Sequence, residues 1–504
     1  MNKISVIPEP LKTENKEGCF FLSKNTSIVL PGAVLSLKED ILFCFKKYLK
    51  IIPVFTESEN ALVFSIDENL EKGHYFLEMG PEKTLIRASG EEGLRYGLKS
   101  FIMAASQFIN PLTSKAEIPC ADIEDRPSFS WRGVMMDSAR HMQSVAWIKK
   151  FIDTVSLYKI NYMQWHLTDD QGWRVEMKKY PALHEKASIR KRTLVGHVDE
   201  EPLQYDNEEY GGYYSRDEIK EIVKYASSRG ITIVPEYDLP GHSQAVLSVF
   251  PEYGCTGEKT EVRQKWGISK DILNPFPDTI NFAKDILAEF MELFPSQYIH
   301  IGGDEAIKDR WINSPRIQEY KKELGLADEK QLQSHFISEI FDFLKENGKE
   351  VMAWDEVIEA GFEKDIITFS WRGDEGGAAS AKSKRRAVMA NKEFNYLDKF
   401  QEKQEDEPLS INGPVTLEQT YSYCPFPDGL SESEKEFILG VQANIWTEYI
   451  DSESHFEYMA FPRLLAMAEN GWCKQERKDF SRFKKSWEIQ KKLMRIAGIN
   501  FYGK

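Results

Sequence analysis

Cysteine is scarce in this chain. Only six occur in 504 residues, and Cys19, Cys44, Cys120, Cys255, Cys424 and Cys473 lie too far apart to form a metal-binding pair or a dense disulfide framework. They are expected to be separate thiols. Long apolar runs are also missing, so no segment approaches the roughly 20 residues that a membrane-spanning helix requires. Pro8, Pro10 and frequent charges leave no secretory core near the start. As written, the chain is expected in the cytoplasm, or in the periplasm or outside the cell if an export signal has been removed. An excess of basic residues is absent too: 65 Lys and Arg against 80 Asp and Glu leave a net charge of −15. That balance argues against a nucleic-acid or anionic-membrane partner and is compatible with a small neutral substrate. No low-complexity tract, heptad run or fixed-period repeat occurs.

What is present is an apolar content of 41%, enough to fill the cores of one barrel and one smaller domain. Residues 1–122 read as a small α+β unit, with strands at Ser27–Val29 and Leu62–Ile66 and a hairpin from Tyr75–Met79 to Thr84–Ala88. A helix then places Leu94, Leu98, Phe101 and Ile102 on one face. The polar segment Asp122–Pro127, closed by a proline, reads as the connection to the next domain.

From Trp131 onward the pattern is strand, loop, helix, repeated. Candidate strands are Gly133–Asp137, Tyr162–Leu167, Thr232–Tyr237, Tyr298–Ile301, Glu350–Trp354, Ile366–Trp371, Ala387–Ala390 and Gly440–Ile445. Helices separate several of them; the clearest sets Ile148, Phe151, Ile152 and Val155 at i, i+3, i+4 and i+7. Around Tyr298–Ile301, one flanking helix carries Phe282, Ile286, Phe290 and Leu293, and the other carries Leu332, Phe336, Ile340 and Phe343 before Gly348. Eight such units predict a (β/α)8 barrel with long loops over residues 123–504.

Such a barrel builds its site at the carboxyl ends of the strands, and the chemically active residues fall there. The fourth strand stops in Gly302-Gly303-Asp304-Glu305, where glycine lets the backbone leave strand geometry and turn both acids towards one pocket. Two close carboxylates raise one of the two pKa values, which suits proton transfer, although an Asp-Glu pair also suits a helix start. Asp137 and Arg140 follow the first strand, His166, Asp169 and Asp170 the second, and Glu236, Asp238 and His242 the third. Trp354 ends the fifth strand and Trp371 the sixth, Tyr396 and Asp398 follow the seventh, and Trp446 and Glu448 the eighth. Carboxylates and an arginine to bind hydroxyls, with indoles to cover a pyranose face, are the makings of a carbohydrate pocket. Each also has a plain structural role open to it: the tryptophans as barrel-top core, Arg140 as the ion-pair partner of Asp137, His242 as a turn anchor, and His300 as a core histidine. His166, Asp170, His242 and Glu305 show no recognised ligand spacing, so no metal is expected.

The motifs resemble those of the family 20 glycoside hydrolases, the β-N-acetylhexosaminidases. His300-Ile301-Gly302-Gly303-Asp304-Glu305 resembles the family's active-site motif. In the family's order stand Trp131-Arg132-Gly133 with Asp137-Ser138-Ala139-Arg140-His141, then Trp165 to Arg174, then Pro235 to His242. Trp354-Asp355-Glu356, Tyr396-Leu397-Asp398 and Gln442 to Glu448 follow. The amino-terminal unit with its Ile7-Pro8-Glu9-Pro10 opening resembles the small domain before the family's barrel, so the likeness spans nearly the whole chain.

The resemblance implies roles. Glu305 is then the general acid and base, and Asp304 polarises the 2-acetamido group with Tyr396 at its carbonyl. Trp354, Trp371 and Trp446 line the pocket, while Arg140, Asp398 and Glu448 bind hydroxyls. Asp170 and His242 are polar partners near Glu305, with Asp169 the alternative to Asp170. No cofactor is implied. The expected reaction is exo-hydrolysis of terminal β-linked N-acetylglucosamine or N-acetylgalactosamine, with retention through an oxazolinium intermediate, since two adjacent acids cannot easily flank the scissile bond. Disaccharide release, a sulfated-glycan specificity and a non-catalytic sugar-binding module are the alternatives. Two departures stand out. Family members often carry a second cysteine near the position of Asn274, and Lys382–Asn395 is unusually basic, which bears on the leaving group and on quaternary contacts.

Overall fold

The structure, a computed structural model, describes residues 4–56, 60–359, 361–403 and 407–503. The amino-terminal unit is a six-stranded sheet in the order Lys12–Leu22, Ala116–Asp125, Tyr75–Met79, Lys83–Ala88, Ala61–Ile66, Ser27–Val29. The expected hairpin is present, with Tyr75 opposite Ala88 and Met79 opposite Thr84. Tyr75, Leu77 and Met79 turn inward in the period-two pattern of a half-buried strand. Helix Glu91–Phe108 covers this face and buries Leu94, Leu98, Phe101 and Ile102.

One expectation is overturned. Asp122–Pro127 is not a free connection, because strand Ala116–Asp125 runs through most of it and pairs on both sides, Glu124 with Lys12 and Asp125 with Tyr75. Its alternate residues Ile123 and Asp125 are buried, and the polar ones between them gave the segment the composition of a linker. A division after residue 122 therefore cuts a strand, and the connection shrinks to the residues between Asp125 and Trp131.

All eight expected barrel strands form: Trp131–Asp137, Tyr162–His166, Thr232–Glu236, Tyr298–His300, Glu350–Trp354, Ile367–Ser370, Ala387–Met389 and Ile438–Ile445. They pair in chain order, all parallel, and the eighth closes onto the first. Burial on both faces explains their nearly continuous apolar runs. The first barrel helix, Val145–Leu157, starts on a Ser144 cap that accepts the Trp147 N–H, and it buries Ile148, Phe151, Ile152 and Val155. Helices Pro277–Leu293 and Glu329–Glu346 flank the fourth strand as expected, except that Leu344 takes the core position assigned to Phe343.

At the amino ends of the strands Trp131 stacks on Tyr162 at 3.8 Å, with Tyr298 edge-on at 5.7 Å and Phe369 at 5.6 Å. This plug closes the lower end of the barrel and leaves the carboxyl ends for a site. The basic residues just before the seventh strand belong to the plugged end, where Arg386 pairs with Glu350 and Asp365. All six cysteines are free. Asn274 ties its loop through side-chain hydrogen bonds to the Glu252 and Gly254 carbonyls, each 3.0 Å. Among the described residues no helix is long and apolar enough to cross a membrane.

The tightest buried ion pair between the two units is Asp125 with Lys159. Asp125, at the end of its strand, accepts from Tyr75 at 2.7 Å, from Lys159 Nζ at 2.9 Å and from the Trp472 indole at 2.8 Å. Lys159 and Trp472 come from the barrel, and the ammonium also sits 4.3 Å from the Trp472 ring centroid. Helix Phe480–Ala497 adds a second tie by packing on both Glu91–Phe108 and Val145–Leu157. Removing one partner of a buried pair leaves the other charge uncompensated, at a cost of about 3–5 kcal/mol. Asp125→Ala should therefore lower the unfolding free energy measured in urea by that amount, and Asp125→Leu with Lys159→Met should recover more than half of it. A double variant no better than the single one would show that the pair contributes packing and not charge.

Candidate active site

The fourth strand ends at His300, and the next five residues turn sharply. Gly302 and Gly303 have φ of +64° and +95°, and Glu305 itself has φ +45°. A Cβ on Gly302 would lie 1.7 Å from Asp238 Oδ1, and one on Gly303 would lie 2.5 Å from Val357 Cγ1, so both positions require glycine. The turn is pinned from two sides: the Gly303 N–H donates to Asp238 Oδ1 at 3.2 Å, and Gln333 Nε2 donates to the Gly303 carbonyl at 2.9 Å. His242, on the third loop, also has a positive φ of +47°. Left-handed backbone at non-glycine residues costs on the order of 1 kcal/mol or more and persists only where surrounding contacts enforce it. Here it brings His242 Nε2 to 3.5 Å from Glu305 Oε2 and 3.8 Å from Asp304 Oδ2.

Behind His242 the charges alternate. Its Nδ1 lies 3.1 Å from Asp169 Oδ1, Asp169 Oδ2 lies 2.8 Å from His166 Nε2, and His166 Nδ1 lies 2.8 Å from Glu236 Oε2. Burial opposes charge on both imidazoles, but the carboxylates on either side outweigh it and hold both pKa values well above the ordinary histidine range. Burial likewise opposes ionisation of Asp169 and Glu236. Arg140 with the two histidines holds the first well below the usual carboxylate range, and His166 with His300 does so for the second. His300 is buried in its strand as expected, with Nδ1 3.1 Å from Glu236 Oε1. Two acid groups that share His242, Asp169 with Asp170 and Asp238 with Asp304, lie close enough together to hold a cation.

A cavity of about 580 Å³ opens above this row. Asp304, Glu305, His242, Arg140, Trp371, Tyr396, Trp446, Asp398 and Glu448 line it, with Arg140 beside Glu448 and Trp446. Nine of the eleven expected residues therefore converge. Two do not. Asp170 is fully buried outside the cavity, its Oδ1 accepting the Gln244 N–H at 2.9 Å and its Oδ2 3.8 Å from His242 Nδ1, while the alternative, Asp169, makes the shorter contact with His242 at 3.1 Å and lines the cavity. Trp354 is 1% exposed and lies behind Trp446, ring centroids 6.0 Å apart, with its indole N–H on Glu236 at 3.0 Å. It takes the core role that its strand-end position also allowed. A larger cavity of about 1020 Å³ at the domain junction contains none of the expected residues.

Arg140 keeps both of its possible roles. It pairs with Asp137 at 3.1 Å and Asp169 at 2.7 Å, lies 3.8 Å from Glu448, and sits 5.1 Å from the Trp446 ring. Burial pushes Asp398 up to about 7, with Glu448 adding to it, and its Oδ1 has no partner. Burial pushes Asp304 up to about 6, opposed by His242 and reinforced by Glu305; its Oδ1 is also unpartnered. The Glu305 side chain is 31% exposed. Burial holds Tyr396 as a neutral phenol, stacked on Trp371 at 6.0 Å and 23°.

Asp238 is an acid that sequence reasoning placed at the site end of the barrel without giving it a role. It lines the cavity, burial followed by repulsion from Asp304 raises its pKa well above the usual carboxylate range, and its Oδ1 accepts the Gly303 N–H of the turn. Its position two residues past the third strand was the available signal. The loop residues His197 and Tyr449, stacked at 5.1 Å, and Trp266 beside them line the mouth; long loops without periodicity offered no signal for them.

Comparison with known proteins agrees with this geometry. The glycosyl hydrolase family 20 catalytic-domain model matches residues 129–475, and the family's domain 2 model matches residues 3–126. A beta-hexosaminidase of Porphyromonas gingivalis is 35% identical over 99% of this chain, which spans 64% of that protein's length. A beta-hexosaminidase of Vibrio furnissii is 31% identical, covering 93% of this chain and 76% of its own. Among solved structures, a family 20 exo β-N-acetylglucosaminidase from Vibrio harveyi, in complex with N-acetylglucosamine, superposes with a TM-score of 0.89 at 30% identity, covering 98% of this chain and 78% of that one. A β-N-acetylhexosaminidase from Bacteroides fragilis gives 0.82 at 28% identity over 99% and 97% of the two chains. With its small amino-terminal domain, its eight-stranded barrel and its paired acids after the fourth strand, the chain belongs to glycosyl hydrolase family 20.

Proposed function

We propose that this protein is an exo-acting β-N-acetylhexosaminidase that removes terminal β-linked N-acetylglucosamine or N-acetylgalactosamine with retention, the substrate's own acetamide acting as nucleophile. The carrying observation is that Asp304 and Glu305 gather on one nitrogen of His242, at 3.8 and 3.5 Å. Two carboxylates on the same side of a cavity cannot serve as acid and opposed nucleophile across an anomeric carbon, whereas an internal nucleophile needs no second enzyme group. The relatives' names and the N-acetylglucosamine complex support the same substrate class.

In this reading Glu305, the more exposed acid, protonates the glycosidic oxygen, and its conjugate base later activates water. As the acetamide oxygen closes on the anomeric carbon, positive charge spreads over the amide and its N–H becomes more acidic. Asp304 accepts that N–H, and the Tyr396 phenol donates to the carbonyl. Arg140 and Glu448 bind hydroxyls at the far end with Asp398, and the faces of Trp371 and Trp446 enclose the ring. Asp304 then binds the transition state more tightly than the ground state, which is the condition for raising kcat.

Glu305→Gln should lower kcat on substrates with poor leaving groups by about 10²–10⁴-fold, with much smaller losses on activated aryl glycosides. Parental rates on a poor leaving group would remove the acid assignment. Arg140→Lys should weaken kcat/KM for every terminal sugar, because an ammonium cannot replace the planar fork that spans Asp137 and Asp169. A protonated Asp304 loses its attraction for the developing charge, so activity should be present above its pKa and fall as pH drops through about 6. Asp304→Asn should lose that acid limb in kcat/KM. It should also lose the advantage of at least ~10²-fold that a thiazoline analogue of the fused-ring intermediate has over free N-acetylglucosamine. An unchanged limb in the residual activity would assign it to another group.

A further inference from the structure

Glu356 opens the short helix Glu356–Glu359 directly after the fifth strand and does not itself line the cavity. Its Oε2 accepts the Trp371 indole N–H at 2.9 Å. The neighbouring acid, Asp355, takes the next residue of the same loop, with Arg372 Nε 3.0 Å from its Oδ1, and Arg372 Nη1 lies 2.8 Å from Glu359. The fifth loop thus clamps the sixth by two consecutive side chains, the acid pair 355–356 on the Trp-Arg pair 371–372. The ring of Trp371 also packs on the apolar cluster at the barrel centre, stacks on Tyr396 and carries the Lys392 ammonium at 5.2 Å, none of which fixes the direction of its N–H. Among the described residues the indole N–H has no second acceptor. Trp371 and Tyr396 form the wall of the cavity at the Asp304 end, where the nitrogen substituent of the sugar sits if the proposed function holds.

We propose that Glu356 is a positioning residue that fixes the Trp371 wall and thereby sets how large an acyl group on the sugar nitrogen the site accepts. The inference rests on the N-acetylhexosaminidase reading and deepens it. Glu356 reaches no substrate atom and acts through the indole. Burial, then the nearby charges of Asp304 and Asp355, pushes its carboxyl up to about 9, so at neutral pH it holds Trp371 as a neutral acceptor and adds no negative charge beside Asp304. A glutamine has the same shape and the same carbonyl acceptor, whereas an alanine has neither.

The experiment compares aryl 2-acylamino-β-glucosides bearing N-acetyl, N-propionyl and N-butyryl groups on the full chain. The parent should discriminate steeply, since one methylene in a closed apolar pocket changes kcat/KM by roughly 10–200-fold. Glu356→Ala should lose about 10-fold in kcat on the N-acetyl substrate, because a loosened wall holds the acetamide less often in line for attack. It should also narrow the acetyl-to-propionyl ratio by at least ~5-fold. Glu356→Gln should keep both the ratio and the rate. In a Trp371→Phe background, which has no N–H to hold, Glu356→Ala should leave the ratio unaltered. The proposal is overturned if folded Glu356→Ala keeps the parental ratio, or if Glu356→Gln relaxes it as far as alanine does. It is also overturned if the two positions prove additive. If the parent turned over none of the three substrates, the functional reading would fail separately. Calorimetric binding of N-acetyl- against N-propionylglucosamine to the same variants would then decide the role of Glu356.

Discussion

The row Glu236, His166, Asp169, His242, Glu305 is the interaction on which the site depends. Each contact in it joins an acid to an imidazole, and the first three run between 2.8 and 3.1 Å in a fully buried setting. A single carboxylate buried there would cost several kcal/mol and would take up a proton. Alternation lets each charge be neutralised by its neighbours, so two acids keep low pKa values below a cavity lined by four further acids with raised ones, Asp238, Asp304, Asp398 and Glu448. His242 passes this arrangement to the surface, since one of its nitrogens faces the buried row and the other faces both Asp304 and Glu305.

The barrel supplies the rigidity that such a row requires. Its lower end is filled by the Trp131, Tyr162 and Tyr298 stack, and its amino-terminal neighbour is bolted on through Asp125 and Lys159. The members of the row leave the second, third and fourth strands or the loops just beyond them, so their positions are set by backbone pairing between neighbouring strands of the closed sheet. The glycines at 302 and 303 add the one sharp turn that strand geometry would forbid, and Asp238 and Val357 fill the space that their missing side chains leave. The tryptophans divide the work. Trp354 belongs to the core and holds Glu236, while Trp371 and Trp446 face the cavity.

Much of this was legible in the residues. Strand positions followed from buried apolar runs, and the site followed from acids, an arginine and indoles recurring just past those runs. The misreadings have physical causes. Asp122–Asp125 looked like a linker because every second residue of a half-exposed strand is polar, and composition alone does not reveal the partner strands on either side. Asp169 and Asp170 are adjacent acids on a turn, and only the direction of each side chain separates the one on His242 from the one on the Gln244 N–H.

By itself the sequence determined the order of elements, the closed eight-strand topology, the turn after the fourth strand and the chemical types gathered at one end, because these depend on local periodicity, glycine placement and residue chemistry. Tertiary structure alone decided which of two neighbouring acids stands nearer His242, which tryptophan faces the cavity, which carboxyls have raised pKa values, and that Glu356 holds Trp371 from the next loop. Those outcomes depend on distances and burial between segments far apart in the chain, and a carboxyl's charge is set by its surroundings and not by its identity.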